Sequence, residues 1–187
     1  EKWILEAFGK LWKESQTALP RLMLVPRHPE RFGEVAASIK ETGFSWVRRS
    51  EKPSARDKTS EVILLDSIGE LRAAYPLADI VFVGGSLIPH GGQNVLEPAG
   101  SGKAIVTGIH TMNFIAIIDE FLSKDALIQL PQLKETEIPA HLAETFSTLL
   151  QNHKRRLQLG ENALNVAEAN RGATKKTVAS IKSFFEA

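Results

Sequence analysis

The chain has 187 residues, of which 43% are hydrophobic, and this is enough for one ordinary domain with a hydrophobic core. Its 23 basic and 22 acidic residues give a net charge of +1, so the composition provides no bulk positive charge for nucleic-acid binding. The absence of cysteine excludes disulfides and thiolate metal sites and is compatible with a reducing compartment. No apolar run approaches the roughly 20 residues of a membrane-spanning helix. The chain opens at Glu1 without an initiator methionine or a signal-peptide pattern, so we interpret it as part of a longer protein.

The first part of the chain alternates between helical and extended apolar patterns. Apolar residues at helical spacing predict helices, and short apolar runs bounded by proline, glycine or polar residues predict strands. The predicted helices are residues 3–13 and 32–42, and the predicted strands are residues 22–25, 44–47 and 61–65. Residues 48–60 are polar and are interpreted as a loop. Asp66 and Ser67 are suitable caps for a further helix over residues 68–75.

The alternation continues to the end of the chain. The predicted strands are residues 80–83, 103–107 and 126–130, the last of them at an edge of the sheet. The predicted helices are residues 114–122, a long amphipathic region over 138–159, a further helix ending at 170–172, and a last helix over 174–186. Because the strands are short and almost continuously apolar, the pattern predicts an α/β fold with a mostly parallel sheet covered by helices on both faces.

Three predicted strands are followed by polar or glycine-rich segments. These segments are PRHPER after Val25, DSIGE after Leu65 and GGSL after Val83. In parallel sheets, ligands bind beyond the carboxyl ends of the strands. We therefore expect these three segments to converge on one edge of the sheet, with the strand at 80–83 in a central position.

Residues 81–102 form the most informative stretch and predict a strand, a glycine-rich loop and the start of a helix. Asn94 is a suitable N-cap, Glu97 follows three residues later, and Pro98 fits the first helical turn. Such a junction presents free backbone N–H groups to an anion. Because a carboxylate would repel a phosphate but accept hydrogen bonds from ribose hydroxyls, Glu97 indicates a nucleotide. The alternative is that Asn94 and Glu97 form only a capping box.

Other sequence features narrow the choice of chemistry. The chain has neither G-x-G-x-x-G at a helix start nor a P-loop, so neither NAD binding nor ATP hydrolysis is indicated. The five histidines lack metal-ligand spacing, and Ser86 lies in no nucleophile motif. The basic run at residues 154–156 is interpreted as a solvated helix face, with contact to anionic lipid headgroups as the alternative.

Two features near the ends of the first strands have alternative explanations. Arg27 directly follows a strand and Pro26, where it could pair with a phosphate or carboxylate, or form a surface ion pair with Glu30 or Glu34. Gly69 in the first turn of the helix predicted after Asp66 would let a base or ribose approach the backbone.

Taken together, the motifs resemble the bacterial 3-deoxy-D-manno-octulosonic acid (Kdo) transferase family over nearly the whole chain. The matching segments are LVPRHPERF (residues 24–32), DSIGEL (66–71) and VFVGGSLIPHGGQNVLEPA (81–99), and the opening EKWILEAFGKL is also similar. The resemblance implies one Rossmann-like CMP-Kdo binding domain over residues 1–187, the C-terminal half of a GT-B glycosyltransferase. It implies transfer of Kdo to a lipid A precursor at the cytoplasmic face of the bacterial inner membrane, during lipopolysaccharide biosynthesis. The domain itself is expected to be soluble, with no nucleic-acid partner.

The resemblance also implies where the donor is bound. The residues that would contact CMP are Pro26, Arg27, Ile68, Gly69, Glu70, Asn94, Val95, Leu96 and Glu97. The family's catalytic base is a glutamate in the N-terminal domain, which also holds the membrane anchor and most of the acceptor site. That domain is absent here, so no catalytic residue, metal or cofactor is expected in this chain, and the chain alone is expected to be inactive.

Two positions depart from the family pattern. The family commonly has histidine where Gln93 stands and proline where Val95 stands, and we interpret both changes as tolerated variation. Two other functions stay open at this point. One is the donor domain of another GT-B transferase that uses a UDP-sugar, and the other is a non-catalytic nucleotide-binding module.

Overall fold

The computed structural model describes residues 1–14 and 20–171. The contacts between their Cα atoms divide them into two compact units. The first unit contains Glu1–Ala74 and Leu133–Gln151, and the second contains Tyr75–Gln132 and the chain from Asn152 onward. The helix predicted over residues 174–186 lies outside the described residues. The assignment of residues 1–187 to a single domain stays a prediction.

The first unit is built around a three-stranded parallel sheet. Its elements are α1 (Lys2–Glu14), β1 (Leu22–Leu24), α2 (Phe32–Glu41), β2 (Trp46–Arg48), β3 (Val62–Leu64), α3 (Leu71–Ala74) and α6 (Ile138–Gln151). The strand order is β1-β3-β2, so β3 pairs with both neighbours. Val62 and Leu64 of β3 are fully buried, as a central strand with helices on its faces requires.

Helix α1 follows the pattern predicted from its apolar residues. Leu5, Phe8 and Leu11 are buried, and α1 packs against α6. The ring of Phe8 meets the ring of Phe44 edge-on, with centroids 5.5 Å apart. Burial of one helical stripe against a neighbouring element is what stabilises a helix of this length in water.

The second unit contains another three-stranded parallel sheet. Its elements are β4 (Ile80–Val83), α4 (Leu96–Ala99), β5 (Ala104–Thr107), α5 (Ile115–Ser123), β6 (Ile128–Gln129) and α7 (His153–Asn170). The strand order is β4-β5-β6, and all four residues of β5 are buried. The two parallel sheets confirm the predicted α/β class. The expectation that β4 is central was wrong, because β5 occupies the middle of this sheet and β4 lies at its edge.

The region predicted as one long helix over residues 138–159 is two helices that belong to different units. Asn152 separates them, since its side-chain oxygen accepts a hydrogen bond from the backbone N–H of Arg155 at 2.9 Å and starts α7. An N-cap side chain bonds the backbone at the start of a new helix and so interrupts a continuous one. The spacing of apolar residues does not show such a break. The amphipathic pattern predicted for residues 138–159 places the apolar Leu157 on the buried stripe, but in the structure Leu157 is 60% exposed.

Gly160 lies inside α7 and allows the helix to approach a turn of its own unit. A Cβ atom added at Gly160 would lie 2.1 Å from the carbonyl oxygen of Gly102. This distance is far below van der Waals contact, so α7 reaches its position only because Gly160 has no side chain. The contact helps to set the packing of α7 against β5 and α4.

We expect Gly160→Ala to lower the free energy of unfolding by about 1–3 kcal/mol, because the methyl group forces α7 away from the Gly102 turn. Chemical denaturation followed by circular dichroism measures the change. The matched control is Gly33→Ala in α2, where an added Cβ meets nothing within 4 Å. That control should leave stability unchanged or raise it by up to about 1 kcal/mol through better helix propensity. Equal effects of the two substitutions would contradict this explanation of Gly160.

Candidate functional site

In the first unit, the segments that follow β1, β2 and β3 lie at one edge of the sheet because the strands are parallel. The backbone N–H of Leu65 donates to the carbonyl of Leu24 at 2.9 Å, and the N–H of Arg49 donates to the carbonyl of Leu64 at 2.9 Å. The first two predicted strand-end segments therefore lie on neighbouring strands. The third follows β4, which belongs to the sheet of the second unit, so the convergence of all three segments stays a prediction.

Arg27 is an exposed cation at the carboxyl end of β1, directly after the buried Pro26. Neither Glu30 nor Glu34, the two carboxylates considered as surface partners, pairs with Arg27. Glu34 pairs with Arg31 at 3.2 Å, and Glu30 lies 3.7 Å from a ring nitrogen of His28. Within residues 1–14 and 20–171, Arg27 forms no ion pair. Its guanidinium is thus available for an external anion.

Arg31, unlike Arg27, is bound by carboxylates of the same unit. Its guanidinium donates to both Glu1 and Glu34, at distances of 3.0 to 3.3 Å. These contacts raise the pKa of Arg31, chiefly through the hydrogen bond that it donates to Glu34, and the same pair lowers the pKa of Glu34. Arg27 lies four residues away and shares none of these partners.

The helix predicted over residues 68–75 with an Asp66–Ser67 cap was wrong. The α-helix begins only at Leu71, and it ends at Ala74. Asp66 instead accepts hydrogen bonds from the backbone N–H and hydroxyl of Ser50, at 2.9 and 2.7 Å, and lies 3.5 Å from Arg48. Its side chain is only 3% exposed. Asp66 therefore joins the ends of β2 and β3, because contacts between strands outweigh a local cap.

Ile68 and Gly69 lie in an open loop before α3 and not in a helical turn. Ile68 is 81% exposed, and Gly69 has a φ angle of 87°, which a glycine adopts without strain. An added Cβ at Gly69 would meet nothing within 4 Å. The backbone here is accessible, as the sequence predicted, although for a different structural reason.

Of Ile68, Gly69 and Glu70, only Glu70 has a side chain that is bound by other described residues. One carboxylate oxygen accepts a hydrogen bond from Arg49 at 2.8 Å, and the other accepts from the hydroxyl of Ser67. Arg49 was interpreted only as part of a loop. The signal that could have identified it is its position directly after a strand, which is the criterion that selected Arg27.

The glycine-rich loop after β4 is closed by hydrogen bonds that involve Ser86. Its hydroxyl donates to the carbonyl of Val83 at 2.7 Å and accepts from the N–H of Gly108 at 2.8 Å. The N–H of Gly92 donates to the carbonyl of Gly85 at 2.9 Å, which brings the two glycine pairs together. Ser86 is fully buried, so its role is structural and not nucleophilic.

Helix α4 begins one residue later than predicted, with Val95 at the N-cap position instead of Asn94. The side-chain oxygen of Asn94 accepts from the N–H of Leu96 at 2.9 Å, and Pro98 lies in the first turn as predicted. Since α4 has only four residues, its dipole is small. The N–H groups of Asn94, Val95 and Glu97 donate no hydrogen bond to the described part of the chain. A proline in place of Val95 would lack one of these donors.

Glu97 is exposed, and its carboxylate accepts no hydrogen bond from residues 1–14 or 20–171. The structure therefore contains no capping box between Asn94 and Glu97. Burial, and to a lesser extent the negative charge of Glu97, raises the pKa of Tyr75 to about 12. An unpaired carboxylate beside unpaired N–H groups is an arrangement that can bind a diol and an anion together.

An open groove of about 400 Å³ adjoins Asn94 and Leu96 on the surface of the second unit. Its other lining residues are Asn113 and residues 114–117. Asn113, which lies between the strand predicted at residues 103–107 and the helix predicted at residues 114–122, was not selected from the sequence. The signal that could have found it is again a polar residue beyond the carboxyl end of a buried strand, here β5.

Two of the three residues in the basic run at residues 154–156 form ion pairs within the second unit. Arg155 donates to both carboxylate oxygens of Asp125 and lowers the pKa of that residue, and Arg156 lies 3.7 Å from Asp79. Among the described residues, no helix is both long enough and apolar enough to cross a membrane. The described residues also contain no group of three or more histidine, aspartate and glutamate side chains able to hold a metal ion.

Comparisons with known proteins agree with one another on the family. The chain is 38% identical over 165 residues to the 3-deoxy-D-manno-octulosonic acid transferase of Haemophilus influenzae, a match that covers 88% of this chain and 37% of that protein. It is 31% identical over 181 residues to the transferase of the same name from Bordetella pertussis, covering 96% of this chain and 41% of that protein. The chain thus spans less than half the length of these curated relatives.

A solved structure matches both the fold and the sequence. The C-terminal CMP-Kdo binding domain of WaaA from Acinetobacter baumannii is 32% identical to this chain and superposes with a TM-score of 0.77. The match covers 88% of this chain and 81% of that domain. No protein-family model matches the chain.

Proposed function

The chain belongs to the 3-deoxy-D-manno-octulosonic acid (Kdo) transferase family, and on this premise we propose that it binds CMP-Kdo as the donor for a glycosyl transfer. The observation that most directly supports donor binding is the match to 81% of a solved domain named for CMP-Kdo binding. The activity requires more than this chain, which spans only 37% and 41% of the two curated relatives described above.

We propose that CMP is contacted by the residues that the resemblance to the family indicated. The set in the first unit is Pro26, Arg27, Ile68, Gly69 and Glu70, and the set in the second unit is Asn94, Val95, Leu96 and Glu97. The guanidinium of Arg27, which forms no ion pair with the described residues, and the accessible backbone at Gly69 support the first set. The N–H groups and the carboxylate around α4, which make no hydrogen bond to the described part of the chain, support the second.

The chemistry of these groups fits a nucleoside monophosphate. In the transfer, the bond between the anomeric carbon of Kdo and a phosphate oxygen breaks, and CMP leaves with the electron pair. A bond forms between the same carbon and a hydroxyl oxygen of the acceptor, whose proton passes to a base. Arg27 and the free N–H groups stabilise the charge that develops on the phosphate. Glu97 accepts hydrogen bonds from the ribose hydroxyls and fixes the orientation of the donor.

The acceptor and the location of the reaction are also part of the proposal. We propose a lipid A precursor as the acceptor, at the cytoplasmic face of the inner membrane. We propose that the base and the acceptor site lie in the part of the longer relatives that this chain does not match. We therefore expect the 187-residue chain to form no Kdo-lipid product from CMP-Kdo and a lipid A precursor. Product detected by mass spectrometry would contradict this assignment of the base.

Calorimetric titration of the chain with CMP tests donor binding, with UMP and AMP as controls. We expect CMP to bind at least about tenfold more tightly than UMP or AMP, since loss of a specific hydrogen-bond pattern costs about 1.5 kcal/mol or more. UMP binding as tightly as CMP would favour a UDP-sugar donor. Binding of none of the three nucleotides would contradict the proposal that this chain carries the donor site.

A further inference from the structure

The groove beside Asn94 has a chemistry that differs from the rest of the proposed site. Asn94 and Asn113 contribute carboxamides, and Leu96 with residues 114–117 contributes mainly apolar surface. No charged side chain lines the groove. Its volume of about 400 Å³ falls within the range of small-molecule sites, which is roughly 300–1,000 Å³. Hydroxyl groups suit this lining better than a phosphate or a carboxylate, so the groove can take the hydroxyl-bearing part of a sugar acid such as Kdo, whose carboxylate would lie outside it.

Asn113 is held in the groove by the loop that contains Gly91. Its backbone N–H donates to the carbonyl of Gly91 at 3.1 Å. A Cβ atom at Gly91 would lie 2.1 Å from the amide nitrogen of Asn113, so the amide rests directly on the bare α-carbon of this glycine. Gly91 also has a φ angle of 97°, which a residue with a side chain rarely adopts. The loop therefore presents an exposed Asn113 amide in a defined position.

The carboxamides of Asn94 and Asn113 have different hydrogen-bonding groups available for a ligand. The side-chain oxygen of Asn94 is occupied by the N–H of Leu96, which leaves the amide N–H groups of Asn94 as donors. The amide nitrogen of Asn113 makes one long contact of 3.5 Å with the carbonyl of His90, while its side-chain oxygen accepts nothing from the described residues. A hydroxyl group both donates and accepts, so it can bind one carboxamide of each kind.

The order of groups along the second unit indicates which part of the donor reaches the groove. In the proposed function, Glu97 binds the ribose and the N–H groups of Asn94, Val95 and Glu97 meet the phosphate. The groove begins at Asn94 and Leu96 and continues to Asn113. In CMP-Kdo, the group attached to the other side of the phosphate is the sugar that is transferred.

We propose that Asn113 binds hydroxyl groups of the Kdo moiety in this groove, and this inference rests on the proposed function. Asn113 is then a specificity-determining residue that recognises the transferred sugar and not the nucleotide. Its contribution should appear only with a ligand that carries the sugar.

The test compares Asn113→Ala with the unchanged chain, using CMP and a non-hydrolysable CMP-Kdo analogue that has a methylene group in place of the anomeric oxygen. We expect Asn113→Ala to weaken binding of the analogue about five- to tenfold, the loss typical of a net hydrogen bond. We expect its affinity for CMP to change less than about twofold, because CMP lacks the sugar. The control is Gln158→Ala, which removes an exposed carboxamide from α7 in the same unit and should affect neither ligand.

The outcomes separate this inference from the proposed function. If Asn113→Ala weakens CMP and the analogue equally, or weakens neither, the assignment of the groove to the sugar is wrong while donor binding stands. If the unchanged chain binds neither ligand, the proposed function and the inference are both contradicted.

Discussion

Glu97→Gln is expected to weaken CMP binding about 10- to 100-fold, which corresponds to ~1.5–3 kcal/mol for hydrogen bonds to a charged group. The reason is that its carboxylate is exposed and accepts no hydrogen bond from the described residues, so it is free to accept the ribose hydroxyls. Calorimetric titration with CMP measures the loss. The free energy of unfolding should change by less than about 0.5 kcal/mol, since no structural contact is removed.

The control for this substitution is Glu161→Gln, which removes the same charge from an exposed position on α7 in the same unit. Equal losses of CMP affinity for the two variants would mean that Glu97 acts only through net charge.

Tyr75 provides a second measurement that needs no ligand. It is the only tyrosine of the chain, so an absorbance titration reports its pKa directly. A neighbouring negative charge disfavours the phenolate, so Glu97→Gln should lower this pKa from about 12, while burial, the larger cause, keeps it above 10. An unchanged pKa would show that the carboxylate of Glu97 does not lie near Tyr75.

Arg27→Gln is expected to weaken CMP binding about tenfold or more, because a charge-assisted contact with the phosphate contributes ~1.5–3 kcal/mol. The affinity for cytidine, which lacks the phosphate, should be nearly unchanged. The affinity of the unchanged chain for CMP should fall as salt is raised, and the variant should show a weaker dependence. Titrations with CMP and cytidine at two salt concentrations measure both effects.

The matched control is Arg56→Gln, which replaces another exposed arginine of the same unit. Arg27 forms no ion pair within the described chain, so its replacement should leave the unfolding transition in place. If cytidine and CMP lose affinity equally, Arg27 does not act on the phosphate.

Several parts of the fold follow from local sequence patterns. Helices α1 and α2 and strands β1, β4 and β5 lie within a few residues of their predicted bounds. Their apolar residues recur at the period of the structure that they form, and proline or glycine marks their ends. Arg27 was identifiable because it follows a predicted strand, and Glu97 because it lies at a predicted helix start after a glycine-rich loop.

Other features depend on residues that are far apart in the chain. Asp66 has the sequence context of a helix cap, but Ser50 and Arg48 of the neighbouring strand end bind it instead. The break at Asn152 divides a continuous apolar pattern between two units. At Asp66 a local capping preference of about 1 kcal/mol is outweighed by contacts between strands, whereas at Asn152 a local N-cap interrupts a helix that the apolar stripe alone would continue.

The sequence by itself determined the α/β class with parallel strands, the family, and the individual residues proposed to contact CMP. The class follows from periodicity, and the family and the proposed contacts follow from the resemblance of contiguous motifs to the Kdo transferases. Only the tertiary structure decided which of those residues already have partners, since Glu70 is bound by Arg49 while Arg27 and Glu97 have no such partner among residues 1–14 and 20–171. It alone brought Asn113 beside Asn94 to form a groove. Such neighbours arise from the pairing and packing of distant segments, and so they become visible only when the chain is folded.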